Sequence, residues 1–236
     1  MNALLLVGAG CRQEPPGPEP DPPSLTAAIE ADGYTVQLGE QRAADYGDCC
    51  SPGVSCLWNN PSTPYLVYGL PPGEGDTPEL DADGWSRAFR LRADEVLILA
   101  GRTPPAAKYY SLRSYLQYRP DGDALVPILG SLGPSLNHAV VAERVGADAV
   151  WDAPFAVVTS FDAAAERRAV GWLTEAGWDP ARVFVDRIPP ALVRPGSDAD
   201  ADWFGVVARA AVFDDAAAGA AWLADPQGVV FRVTPT

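Results

Sequence analysis

Short apolar runs separated by turn-forming residues fill the middle of the chain, and they constrain its fold more than any other feature. Residues 96–100 are continuously apolar, and residues 108–118 mix aromatic with polar side chains. Turn formers rich in proline, glycine and aspartate stand between the runs, at 102–105, 120–123 and 130–134. This punctuation predicts antiparallel strands at 88–92, 96–100, 108–118 and 136–141.

The last third of the chain has a different pattern, in which strands alternate with helices. Predicted strands at 154–160 and 181–188 flank a helix of 162–176 that Asp162 can cap. Two further strands, 202–213 and 228–233, flank a helix that runs from Asp214 or Asp215 to residue 223. This order predicts a ferredoxin-like βαββαβ unit. We therefore expect an α+β fold, with an antiparallel, sandwich-like β domain of 25–150 followed by a ferredoxin-like domain of 151–236.

The net charge of the chain bears on whether it binds nucleic acid. The chain has 236 residues and a formal net charge of −14. Binding to phosphate groups needs a basic patch, which an acidic chain of this kind lacks. We therefore expect no nucleic-acid partner.

The N-terminus is an apolar run, MNALLLVGAG, that ends directly before Cys11. It resembles the signal segment of bacterial lipoproteins, in which the cysteine after the run becomes the lipidated first residue. The resemblance implies a signal-like segment of 1–10, lipidation at Cys11 and an extracytoplasmic location, either anchored in the cell envelope or secreted. Residues 11–24 are rich in proline and predict an extended tether. No run reaches the roughly 20 apolar residues of a spanning helix, so we expect membrane contact through the lipid alone.

Three further cysteines lie close together, at Cys49, Cys50 and Cys56. In an exported protein, an odd count predicts one disulfide, either Cys50–Cys56 or Cys49–Cys56, and one remaining thiol. A zinc site is the alternative, but no fourth ligand stands near these cysteines in the sequence.

Residues 108–133 combine KYYSL, Tyr115, a turn at Asp121 and Gly122, and the run GSLG. The segment resembles jelly-roll-like domains of unknown function that occur in pairs in bacterial secreted proteins. The resemblance implies a sandwich-like β domain. Because that family has no agreed activity, it implies no catalytic residue.

His138 is the only histidine, and alternation places it on a strand face between two apolar side chains. A histidine in that setting is more often structural than catalytic. The functional interpretation makes His138 a general base, with Tyr110 in the same site and with Arg102 or Arg113 holding an anionic substrate.

One further motif could suggest a metal site. Residues 197–202 carry three alternating aspartates, but Trp203 replaces the turn glycine of a calcium loop and Arg209 replaces its last glutamate. The segment therefore predicts a solvated loop. We expect neither a metal nor a cofactor.

Two functions remain open at this point. The first is a binding or assembly module of the cell envelope without catalytic activity, whose partner is a protein, a second copy or a small molecule. The alternative is an exported hydrolase or isomerase with a site between the two domains that involves His138.

Overall fold

The computed structural model describes residues 21–44, 65–73 and 84–236. Over these residues it contains four helices and ten strands, which confirms the predicted α+β class. The helices are α1 (Pro22–Ala31), α2 (His138–Val145), α3 (Ala163–Glu175) and α4 (Ala216–Ala224). The strands are β1 (Tyr34–Ala43), β2 (Tyr65–Gly69), β3 (Val96–Arg102), β4 (Ala107–Asp121), β5 (Ala124–Ser131), β6 (Leu136–Asn137), β7 (Pro154–Ser160), β8 (Val183–Arg187), β9 (Trp203–Phe213) and β10 (Val229–Pro235).

Side-chain caps fix where α3 and α4 begin, as the sequence predicts. Oδ1 of Asp162 accepts hydrogen bonds from the backbone N–H groups of Ala164 at 2.7 Å and Ala165 at 2.8 Å. Asp215 caps α4 in the same way. Each cap satisfies two of the N–H groups that a helix start leaves without partners. Helix α1 begins at Pro22, within the predicted tether, because proline is tolerated in a first helical turn.

The predicted strand at 136–141 is wrong beyond its first two residues. Oδ1 of Asn137 accepts from the N–H groups of Ala139 at 2.9 Å and Val140 at 3.2 Å. This cap starts α2 at His138, so strand alternation does not apply to His138.

The ten strands form one sheet with the order β5-β4-β9-β2-β1-β10-β3-β7-β8, and β6 pairs with β4. The neighbouring strands are antiparallel except β7 and β8, which are parallel and joined through α3. A parallel pair needs such a crossover connection.

The pairings differ from a sandwich-like layer followed by a ferredoxin-like unit. Strand β9 lies between β4 and β2, and β10 lies between β1 and β3. In a ferredoxin-like unit these two strands would pair with β7 and β8 instead. Local patterns locate strands but do not determine their partners, and here the partners come from the other end of the chain.

The sheet curls until its two ends face each other. The ring centroids of Tyr110 on β4 and Phe155 on β7 are 6.1 Å apart, although five strands separate β4 from β7 in the sheet order. In a flat sheet six strand spacings would separate them by about 29 Å. The inner face therefore encloses one hydrophobic core, to which Tyr110 and Phe155 both belong.

A second core lies on the outer face of the sheet. Leu25 and Ile29 of α1 and Trp172 and Leu173 of α3 pack there against apolar side chains of the central strands. The indole N–H of Trp172 donates to Oδ2 of Asp32 at 3.0 Å, which ties α3 to the end of α1. The two helices thus cover one region of the outer face.

The pairing of β9 and β10 predicts that the first part of the chain does not fold alone. A fragment of residues 21–150 lacks both partners of β3 and also lacks β9, which separates β4 from β2. We expect it to give a coil-like far-UV circular dichroism spectrum without a cooperative thermal transition, whereas residues 21–236 give a folded spectrum and one transition. A folded 21–150 fragment with a cooperative transition would contradict the interleaved topology.

Candidate functional site

An open groove of about 500 Å³ lies at the start of α3. Aromatic, proline and alanine residues form its apolar lining, and three charged side chains also line it. We call it the α3 groove; the residues that matter below are Tyr34, Phe161, Ala164, Ala165, Pro190 and Pro235, with Asp94, Asp162 and Arg168.

The local sequence explains why this space is open. The first turn of α3 consists of alanines, whose short side chains leave the wall of the groove uncovered. Phe161 precedes the capping Asp162 and lies beneath the groove, but it is 6% exposed and its ring packs edge-on against Phe204 at 5.2 Å in the inner core. Pro190 begins a short 3-10 helix, Pro190–Leu192, and Pro235 is the last residue of β10; both line the groove.

Two side chains hold Tyr34 in place. Its ring meets Trp172 edge-on at 4.9 Å, and the guanidinium of Arg168 lies 5.5 Å from its centroid. Nη1 of Arg168 also donates to the Tyr34 hydroxyl at 2.9 Å. A ring fixed in this way is a pre-organised contact surface, because little side-chain entropy is lost when a ligand packs on it.

A second polar feature lies inside the curled sheet. It consists of Tyr68 on β2, Tyr110 and Ser114 on β4, Thr159 on β7 and Asp186 on β8, and we call it the Asp186 cluster. These side chains are between 0% and 7% exposed. Thr159 and Asp186 are direct neighbours in the parallel β7–β8 pair, and electrostatic coupling links Asp186 to Ser114 and Tyr68.

Burial determines the electrostatics of this cluster. It raises the pKa of Asp186, and the neighbouring Ser114, Thr159 and Arg113 offset only part of the rise. Burial also raises the pKa of Tyr110. The pKa of Tyr68 rises for the same reason, with smaller contributions from Tyr110 and Asp186.

The cluster is therefore a set of hydrogen-bonding groups with weak acidity. One carboxyl oxygen of Asp186 and the hydroxyls of Tyr68, Tyr110, Ser114 and Thr159 make no hydrogen bond of good geometry within the described residues, although Ser114 and Thr159 lie close enough to Asp186 to lower its pKa. Such groups can bind a small polar molecule or water. None of the five side chains is a histidine, lysine or cysteine, so the cluster itself does not supply a strong base.

The predicted catalytic candidates divide between two places. Tyr110 is in the Asp186 cluster, and Arg113 is close enough to lower the pKa of Asp186. His138 instead stacks on Trp151 at 5.8 Å and meets Tyr109 edge-on at 6.1 Å.

Arg102 is the last residue of β3 and lies on the His138 side, away from the Asp186 cluster. Its Nε donates to Oδ1 of Asp152 at 3.2 Å, and its Nη2 donates to the Asp152 carbonyl at 2.6 Å. His138 and Arg102 therefore contact the neighbouring residues Trp151 and Asp152, whereas Tyr110 and Arg113 act at the Asp186 cluster.

Sequence reasoning missed most of the polar interior. Ser114 and Asp186 each occupy a strand position whose neighbours two residues away face the core. A polar residue in an apolar alternation is the signal that could have found them. Asp202 was also missed, since it was assigned to a solvated loop. In the structure its side chain is 0% exposed and pairs with Arg119 and Arg194.

Several expectations lie outside the described residues. They concern the lipidation of Cys11 and the pairing of Cys49, Cys50 and Cys56. Among the described residues, no helix combines the length and apolar character that crossing a bilayer needs. The same part of the chain contains no group of three or more His, Cys, Asp or Glu side chains placed to hold a metal ion.

Comparison with known proteins gives no relative. No protein-family model, no curated protein and no solved structure matches this chain. The candidate sites are therefore argued from their own geometry.

The raised pKa of Asp186 predicts an unusual dependence of stability on pH. Between the unfolded pKa of about 3.9 and the higher folded pKa, the native state binds more protons than the unfolded state. The contribution of Asp186 to stability therefore falls as pH rises through this window. Asp186→Asn keeps the shape of the side chain and removes its titration, so the variant gains stability relative to the native chain as pH rises above about 4.

Urea unfolding at several pH values measures this difference. Asp148→Asn, at an exposed position, controls for the loss of one negative charge. A stability difference between Asp186→Asn and the native chain that does not change with pH, or that changes in the opposite direction, would show that burial does not raise the Asp186 pKa.

Proposed function

We propose that this protein is an exported, envelope-anchored binding module without catalytic activity, and that it binds proline-rich peptide segments in the α3 groove. The observation that carries the proposal is the groove itself. Its volume of about 500 Å³ falls within the range of known ligand pockets. It is open to solvent, unlike the enclosed Asp186 cluster.

The lining favours a peptide in the polyproline II conformation. Such peptides bind in grooves built from aromatic side chains, against which their proline rings pack. Tyr34 supplies the aromatic surface here, and Pro190 and Pro235 supply flat aliphatic ones. A polyproline II peptide is already extended, so it loses little entropy on binding.

Charge selects among proline-rich peptides. The groove has two carboxylates, Asp94 and Asp162, and one guanidinium, Arg168, and the whole chain has a net charge of −14. Arg92 pairs with Asp94 at 2.6 Å, so the net charge of the whole chain is the main reason why an acidic peptide is disfavoured. This argues against the chain's own tether as the occupant, because residues 11–24 contain three acidic residues and only one basic one, Arg12.

Export and anchoring rest on the N-terminal sequence. The apolar run before Cys11 and the proline-rich spacer after it support a lipid anchor on a tether. Helix α1 begins at Pro22, and Tyr34 of the groove follows the end of this helix by three residues. The length of α1, roughly 15 Å, and a short turn therefore separate Tyr34 from the start of the helix.

The enzyme alternative has weaker support. His138 would have to act as a general base on a substrate, and its ring is packed between those of Trp151 and Tyr109. Arg102, the proposed anchor for an anionic substrate, already pairs with Asp152. These contacts favour a structural role for the pair.

A bulky substitution in the groove wall tests the proposal. Ala164→Trp places a large ring at an exposed position in the first turn of α3, where it fills the groove without entering the core. We expect the Kd for a fluorescein-labelled peptide of repeated Pro-Pro-Arg units to rise at least about tenfold, which is about 1.4 kcal/mol. Fluorescence anisotropy measures the change.

Two controls make the test specific. Ala217 follows its capping aspartate by two residues in α4, as Ala164 does in α3, so Ala217→Trp should leave Kd unchanged. A peptide of repeated Ala-Ala-Arg units, with the same charge, should bind more weakly than the proline peptide. Equal binding by both peptides, or by the native chain and Ala164→Trp, would refute the proposal.

A further inference from the structure

Six polar side chains face the interior of the curled sheet from different strands. Five of them form the Asp186 cluster, and the sixth is Gln41 on β1, which is 4% exposed. Gln41 lies directly opposite Tyr68 of the cluster in the antiparallel β1–β2 pair, so the two side chains share one face of the sheet. Each of the six carries a buried polar atom that makes no hydrogen bond of good geometry within the described residues. An unpaired buried polar group costs free energy, so a partner for these groups is expected.

The curl of the sheet brings these groups together. Tyr68 on β2 and Asp186 on β8 are five strand spacings apart in the sheet order, which is about 24 Å in a flat sheet. The Asp186 carboxyl and Tyr110 nevertheless both contribute to the raised pKa of the Tyr68 hydroxyl. The three side chains therefore face each other across the interior.

Direct contacts do not satisfy the whole set. Ser114 and Thr159 lie close enough to Asp186 to lower its pKa by hydrogen bonding, so their hydroxyls can donate to its carboxyl. The two tyrosine hydroxyls of the cluster and the amide Nε2 of Gln41 remain. Their strands β1, β2 and β4 each pair with neighbours on both edges. The backbone therefore cannot shift to bring these three groups into contact.

The chemistry of the groups defines their partner. A tyrosine hydroxyl donates and accepts hydrogen bonds, an amide nitrogen donates, and an unprotonated carboxyl oxygen accepts. The partner must therefore both donate and accept. It must also be small, because the rest of the inner core consists of aliphatic and aromatic side chains, which pack at high density. Water meets both conditions. A buried water makes about three hydrogen bonds, so six polar groups require about two waters.

We infer that the interior of the curled sheet is a binding site for ordered water, in which about two water molecules link the Gln41–Tyr68 pair to the rest of the Asp186 cluster. The waters connect β1 and β2 to β4, β7 and β8 by hydrogen bonds across the curl. They are thus part of what holds the two ends of the sheet together. The site uses none of the residues of the α3 groove and is independent of peptide binding.

Magnetic relaxation dispersion of the solvent oxygen nuclei tests this inference, because it counts the long-lived internal waters of a protein in solution. The full native chain is compared with a variant that carries both Tyr68→Phe and Tyr110→Phe. This variant keeps both rings and removes two hydrogen-bond partners of the waters. We expect it to lose at least about one long-lived water. Thermal unfolding shows whether the variant keeps the native fold.

Tyr109→Phe is the matched control. Tyr109 precedes Tyr110 on β4 and is 39% exposed, so its hydroxyl lies on the opposite face of the strand. Its removal should leave the number of long-lived waters unchanged.

A crystal structure of the native full chain identifies the occupant and does not depend on the folding of any variant. It should show water oxygens within about 3.2 Å of the hydroxyls of Tyr68 and Tyr110. An organic molecule in their place, or side chains that bond directly to each other without water, would overturn the inference. So would equal numbers of long-lived waters in the native chain and in a folded double variant.

Discussion

The pairing of β9 and β10 on both of their edges is the constraint on which the fold depends. Strand β9 joins β4 to β2, and β10 joins β1 to β3. Without them the strands before residue 150 are separate pieces with exposed backbone edges, which is costly for the N–H and C=O groups involved. These contacts are also distant in sequence, so the entropy of closing long loops must be overcome before they form.

Curling the sheet has a consequence for the polar residues of its inner face. Because opposite ends of the sheet meet, side chains from β2, β4, β7 and β8 share one interior. Asp186 is removed from water there, and this burial raises its pKa. The fold thus contains a carboxyl group of weakened acidity among hydroxyl groups, a combination suited to hydrogen bonding.

The sequence predicts the local structure better than the long-range arrangement. Asp162 and Asp215 cap helices where expected, because an N-cap depends on the next three residues alone. The partner of β9 depends on the whole chain, and no local pattern specifies it. His138 was misplaced because the apolar alternation from Leu136 continued past a cap that Asn137 also allows. The candidate sites were harder still, since the α3 groove joins Tyr34 to Phe161 and Pro235 across most of the sequence.

A single groove with one peptide is a weak interaction, because the apolar area available in about 500 Å³ is small. Pre-organisation offsets part of this weakness, because Trp172 and Arg168 already hold Tyr34 in place before a peptide packs on it. The proposed envelope tether would add a second advantage. Several copies confined to one surface would meet a ligand with repeated proline segments at a high effective concentration. A modest affinity at each groove would then be sufficient for the proposed binding module.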